Sequence, residues 1–121
     1  ADFLAEQGKK VILTEMLSGI ALDAELITRA VLIDRLYQQD VPMMTELTVK
    51  EITDKGVIGI KNGVELPIGG DTVVLAIGSQ ANKKLEKALK DKTTFYTIGD
   101  CVEPRKVTEA VREGFDIALK I

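Results

Sequence analysis

The sequence contains no histidine and a single cysteine among its 121 residues. Without histidine, the commonest zinc ligand and the usual general base are both missing. Cys101 alone can form neither an internal disulfide nor a two-cysteine metal site. A basic excess is also lacking. The formal charge is −3, which argues against a nucleic-acid surface. No apolar run approaches the roughly 20 residues that span a bilayer, and neither a cleavable signal nor a membrane partner is expected. These shortages point to a reduced, cytoplasmic compartment and away from a self-contained hydrolase or metalloenzyme.

What is present suits a globular chain: 45% of residues are hydrophobic and 29% charged, and the length is enough for one domain with a core and too short for two independent ones. The opening DFLAEQGKK reads as the last turns of an amphipathic helix with Gly8 as its C-terminal cap. KVILTEM follows as an unalternating strand ending in Glu15, the pattern of a parallel strand covered on both faces. Helical spacing runs from about Asp23, a plausible N-cap, to Gln39, with Leu26, Ala30, Ile33 and Tyr37 along one stripe. VPMMTEL is a further strand. The segment from Leu47 to Gly70 then reads as an antiparallel meander with a hairpin at Asn62-Gly63. DTVVLAIGS reads as a second buried strand closed by Gly78. A polar helix covers about Asn82–Lys90, its lysines forming a solvated face. TFYTIGD is a strand that stops at Gly99-Asp100, and Lys106–Lys120 is a strong helix. The sum is an α/β fold, a Rossmann-like, mostly parallel sheet interrupted by a β-meander.

Three strand ends could carry chemistry. An acid at the end of a strand, as Glu15 is, accepts hydrogen bonds from ribose hydroxyls in dinucleotide-binding folds; it could equally be an exposed strand-end glutamate. The AIGS turn around Gly78 would let a cofactor approach the backbone, although many buried strands end in glycine. Asp100 stands between a strand and a helix N-terminus, where a carboxylate could receive a chain of hydroxyls while the helix end favours an anion; a loop or capping aspartate is the plainer reading. Cys101 reads as an inert small residue, since any redox partner would lie outside the chain. Arg105 could meet a phosphate or a neighbouring acid.

GKKVILTEM, DTVVLAIGSQAN and TFYTIGDCVEPRKVTEAVREGFDIAL together resemble the C-terminal region of a flavoprotein family. Its members carry two dinucleotide-binding domains behind an old-yellow-enzyme-like barrel, as in the 2,4-dienoyl-CoA reductases, trimethylamine dehydrogenase and related NADH:flavin oxidoreductases. The resemblance implies that residues 1–79 are an NAD(P)H-binding domain lacking its first strand. Residues 80–121 would be a connecting helix and the C-terminal segment of the FAD-type domain. Glu15 would face the adenosine ribose and Gly78 would close the inserted domain. Gly99 and Asp100 would meet the pyrophosphate and ribityl part of FAD.

Neither the barrel with its FMN, nor iron–sulfur cysteines, nor a G-x-G-x-x-G turn occurs in these residues. The resemblance therefore implies a fragment of a flavin-dependent NAD(P)H oxidoreductase, with FMN and an iron–sulfur cluster possible in its missing domains. NADH is favoured over NADPH, because Glu15 would repel a 2′-phosphate. The rest of the parent chain is the expected partner. A missing first strand would also leave sheet edges open, so TFYTIGD is expected to fill the gap, or two chains to pair through the edge. The alternative from another class is an α/β interaction or regulatory domain that binds no cofactor.

Overall fold

The computed structural model describes all 121 residues, which divide into two compact units, Ala1–Val74 and Leu75–Ile121. The first unit opens with helix α1 (Asp2–Glu6). Gly8 ends it in the left-handed region at φ 73°. Its N–H donates to Ala5 O at 2.9 Å and that of Lys9 to Leu4 O at 3.1 Å. These two bonds are the Schellman pair that a C-terminal glycine allows. Arg35 of the next helix pairs with Asp2 at 3.0 Å and with Glu6, which seats α1 on that helix.

Strand β1 (Leu13–Thr14) and strand β2 (Met43–Met44) pair in parallel, joined by helix α2 (Leu26–Gln38). The parallel pairing is as expected, but the pair is narrow and Ile12 beside it is 45% exposed, so β1 is not covered on both faces. Helix α2 also starts later than its pattern suggested. Its cap is Glu25, whose carboxylate accepts the Ile27 and Thr28 N–H groups at 3.0 and 2.9 Å. Asp23 does not cap it, because the chain first turns through Ala21–Ala24, closed by the Ala24 N–H on Ala21 O. The inward face is Arg29, Leu32, Ile33 and Leu36, whereas Leu26, Ala30 and Tyr37 of the expected stripe stay exposed.

Strands β3 (Thr48–Thr53), β4 (Gly56–Lys61) and β5 (Val64–Gly69) form the expected antiparallel meander. Asn62 and Gly63 turn its second hairpin with φ 52° and 77°, the two positive angles that a type I′ turn needs. The core gathers at Ile20, Leu36, Val41 and Leu47. Leu47 lies so close to β4 that a Cβ on Gly59 would sit 2.4 Å from its Cδ2. The expected α/β class is therefore realised as a parallel pair plus a meander.

Two expected strands do not form. Residues 71–79 and 94–98 pair with no other backbone, and Val74, Leu75 and Ile77 are exposed. A strand has to close its N–H and C=O groups on a neighbour, and neither run has one here. TFYTIGD accordingly fills no gap in a sheet of this chain. The second unit consists instead of helix α3 (Lys84–Leu89), a 3-10 turn (Gly99–Cys101) and helix α4 (Val107–Ala118). Helix α4 turns Ala110, Glu113, Gly114 and Ile117 inward and leaves Val107, Val111, Phe115 and Leu119 exposed. No helix is long and apolar enough to cross a membrane.

The glycines of the meander make a test. Gly56 has φ 126°, and a Cβ there would meet Ile68 O at 2.1 Å, whereas Gly63 has open space around it. Gly56→Ala should lower the unfolding free energy by at least about 2 kcal/mol. Gly63→Ala should lower it by about 1 kcal/mol, from its backbone angle alone. Urea denaturation of both variants checks this, and equal losses would contradict it.

Candidate functional site

Glu15 extends the β1–β2 ladder by its backbone: its N–H donates to Met44 O at 2.9 Å, and its carbonyl accepts the Leu47 N–H at 3.0 Å. The carboxylate thus stands at the carboxyl end of a parallel strand, half-buried. One oxygen, Oε1, accepts the Leu17 N–H at 2.9 Å. The other is left to accept from outside the chain, the valence that a ribose diol would use. The loop after it is fastened by Arg29, whose Nε donates to Ile20 O at 2.7 Å. Arg29 was not singled out from the sequence, because it lies nine residues beyond Ile20 and reaches it only through the fold.

Gly78 adopts φ 90° in the extended run 71–79, and nothing would lie within 4 Å of a Cβ there. Its requirement for glycine is therefore one of backbone angle and not of space.

The second group of residues lies in the carboxyl-terminal unit. Gly99 is buried with φ 64°, and a Cβ on it would stand 3.3 Å from that of Ala110. Its N–H donates to Glu113 Oε2 at 2.6 Å. The other oxygen of Glu113 accepts from the Arg105 guanidinium. Asp100 is exposed, and its Oδ1 accepts the Arg105 N–H at the long distance of 3.5 Å. Helix α4 begins at Val107 with no side chain capping its first turn, so its leading amides suit an anion supplied from outside. Cys101 turns its thiol onto Ile98 O at 2.7 Å, and no group of acids, cysteine and histidine could hold a metal. Glu113 also escaped sequence reading. The only signal was an acid on the small-residue face of α4, three positions after Ala110.

Each place by itself offers groups of a kind that nucleotides use: a strand-end carboxylate that can accept from hydroxyls, and, in the other unit, an exposed carboxylate with uncapped helix amides. Residues 1–114 match the family model described as pyridine nucleotide-disulphide oxidoreductase. The chain belongs to that family. It is 35% identical over 118 residues to a metal reductase of Desulforamulus reducens, covering 97% of this chain and 18% of the relative. It is 39% identical over 124 residues to an NADH oxidase of Thermoanaerobacter brockii, covering 100% and 19%. Among solved structures, 2-naphthoyl-CoA reductase in complex with 2-naphthoyl-CoA superposes with a TM-score of 0.83 at 34% identity, over 98% of this chain and 18% of that one. The chain thus spans about a fifth of the length of these relatives. The family is one of flavin oxidoreductases, and nucleotide binding by NAD- and FAD-type segments is its common property. The disulphide in its name has no counterpart within these residues, since Cys101 is alone.

The Gly99 amide, and then Arg105, hold the Glu113 carboxyl below its ordinary value of 4.5. A lowered value in the folded state means that the contact stabilises fully above pH 4.5 and is lost as the pH falls below it. A carboxyl-carbon NMR titration should give Glu113 a midpoint under 4.5, moving upward in Arg105→Ala. A midpoint at or above 4.5 in the unaltered chain would contradict the geometry.

Proposed function

We propose that the chain contributes nicotinamide-nucleotide binding and part of an FAD-type site to an NAD(P)H-dependent flavin oxidoreductase. The observation that carries the reading is Glu15, a carboxylate at the end of a parallel strand with one oxygen on Leu17 and one left to accept. Family membership supports the same reading. Residues 1–79 serve the nicotinamide nucleotide, and residues 80–121 are the connecting helix and a segment of the FAD-type domain. The boundary between the compact units falls five residues earlier, at Val74 and Leu75.

When bound, the nicotinamide supplies a hydride and the flavin accepts it. The residues of this chain bind and orient. Glu15 receives the adenosine ribose hydroxyls, and the Gly78 turn is one that lets a cofactor approach the backbone. Asp100 accepts from the ribityl hydroxyls of FAD, while the first amides of α4 face its pyrophosphate. Gly99 takes part through its left-handed angle and missing Cβ, since its N–H is already given to Glu113. NADH is the preferred donor, because the Glu15 carboxylate repels a 2′-phosphate.

The parent reaction is reduction of an unsaturated substrate of the dienoyl-CoA or enoate type, with FMN and an iron–sulfur cluster held outside these residues. The likeness to 2-naphthoyl-CoA reductase supports that class. The rest of a cytoplasmic parent chain is the partner, and a second copy could pair along the open sheet edge.

Glu15→Gln should weaken NADH binding by about tenfold, the effect of losing one charge-assisted hydrogen bond. It should weaken NADPH binding much less, narrowing the discrimination between the two. Calorimetric titration of the flavoprotein with each dinucleotide measures this. Unchanged NADH affinity in the variant, or tighter NADPH binding by the unaltered protein, would overturn the assignment.

A further inference from the structure

We propose that Glu113 is a positioning residue whose carboxylate fastens both ends of the Gly99–Arg105 loop to α4 and so fixes where Asp100 stands toward the flavin nucleotide. The inference rests on the FAD reading of that loop. Oε2 holds the first residue of the loop through the Gly99 N–H at 2.6 Å, and Oε1 holds the last through the Arg105 guanidinium. Arg105 in turn gives its own N–H to Asp100 Oδ1. The loop is thereby a closed ring of contacts: Gly99, Glu113, Arg105, Asp100. Inside it, the Val102 and Glu103 N–H groups both donate to Gly99 O, at 2.9 and 3.2 Å, so the turn radiates from the residue that Glu113 anchors. Gly99 also packs on Ala110, three positions before Glu113 on the same inward face of α4. Glu113 itself stands six residues past Val107, about 9 Å along the axis from the helix N-terminus. It therefore acts on a group held at that end through the loop and not by touching it.

Two measurements on Glu113→Ala and Glu113→Gln test this. In the 121-residue chain, hydrogen exchange of the Gly99 amide should quicken at least tenfold in Glu113→Ala, with the mid-helix amides of α4 unchanged as evidence that this unit stays folded. In the flavoprotein, the FAD dissociation constant should rise about tenfold in Glu113→Ala. It should rise less in Glu113→Gln, which keeps an oxygen for Gly99, and the absorption spectrum of the bound flavin should not change. An unaltered Gly99 amide would overturn the fastening. A loosened amide with unaltered FAD affinity would overturn the positioning role. Asp100→Asn separates the two levels: if it also leaves FAD affinity unchanged, the FAD reading of the loop is wrong and the proposal falls with it.

Discussion

The parallel contact of Leu13–Thr14 with Met43–Met44 is the point from which the amino-terminal unit is built. It needs α2 as its crossover, because parallel strands cannot be joined by a tight turn. The end of that helix is tied to the approach of β2 by the Val41 N–H on Leu36 O at 3.0 Å, and both side chains are buried. Beyond the contact, the Glu15 carbonyl takes the Leu47 N–H, and Leu47 then plugs the space that Gly59 leaves on β4. One short ladder thus aligns the helix, the meander and the carboxylate at its end. A shift of register by one residue would withdraw the Glu15 backbone from Met44 and carry its side chain to the other face.

Features whose cause is local were legible in the sequence. Gly8 and Asn62-Gly63 declare themselves because a positive backbone angle is a property of two or three residues. Glu15 was legible because a strand-end acid is defined by the run before it. DTVVLAIGS and TFYTIGD have the composition of strands, yet composition supplies no neighbour, and the ladder is a property of two segments at once. The apolar stripe of α2 turns inward only at Ile33, for a related reason. Leu26 and Tyr37 carry the period, but the face that turns inward is chosen by Leu36 and by Arg29, whose guanidinium holds Ile20 O. Glu113 lay beyond any periodic signal, since its partner is a backbone amide fourteen positions away.

Three glutamates of this chain accept backbone amides, and the remaining valences tell their duties apart. Glu25 engages both oxygens on the Ile27 and Thr28 amides of α2, which makes it the cap of that helix. Glu113 engages both as well, on Gly99 and Arg105, so neither of its oxygens is left wholly unpartnered and both hold structure. Glu15 spends one oxygen on Leu17. Asp100 engages one, and only across 3.5 Å. An unsatisfied carboxylate oxygen at a surface is met by water at little cost, whereas hydroxyls offered by a ligand can replace that water without loss. Glu15 and Asp100 therefore keep the acceptor capacity that the proposed contacts with a ribose and a ribityl chain would use. Glu25 and Glu113 set the backbone near these positions, with Glu25 starting the helix that carries Arg29 and Glu113 closing the loop that carries Asp100.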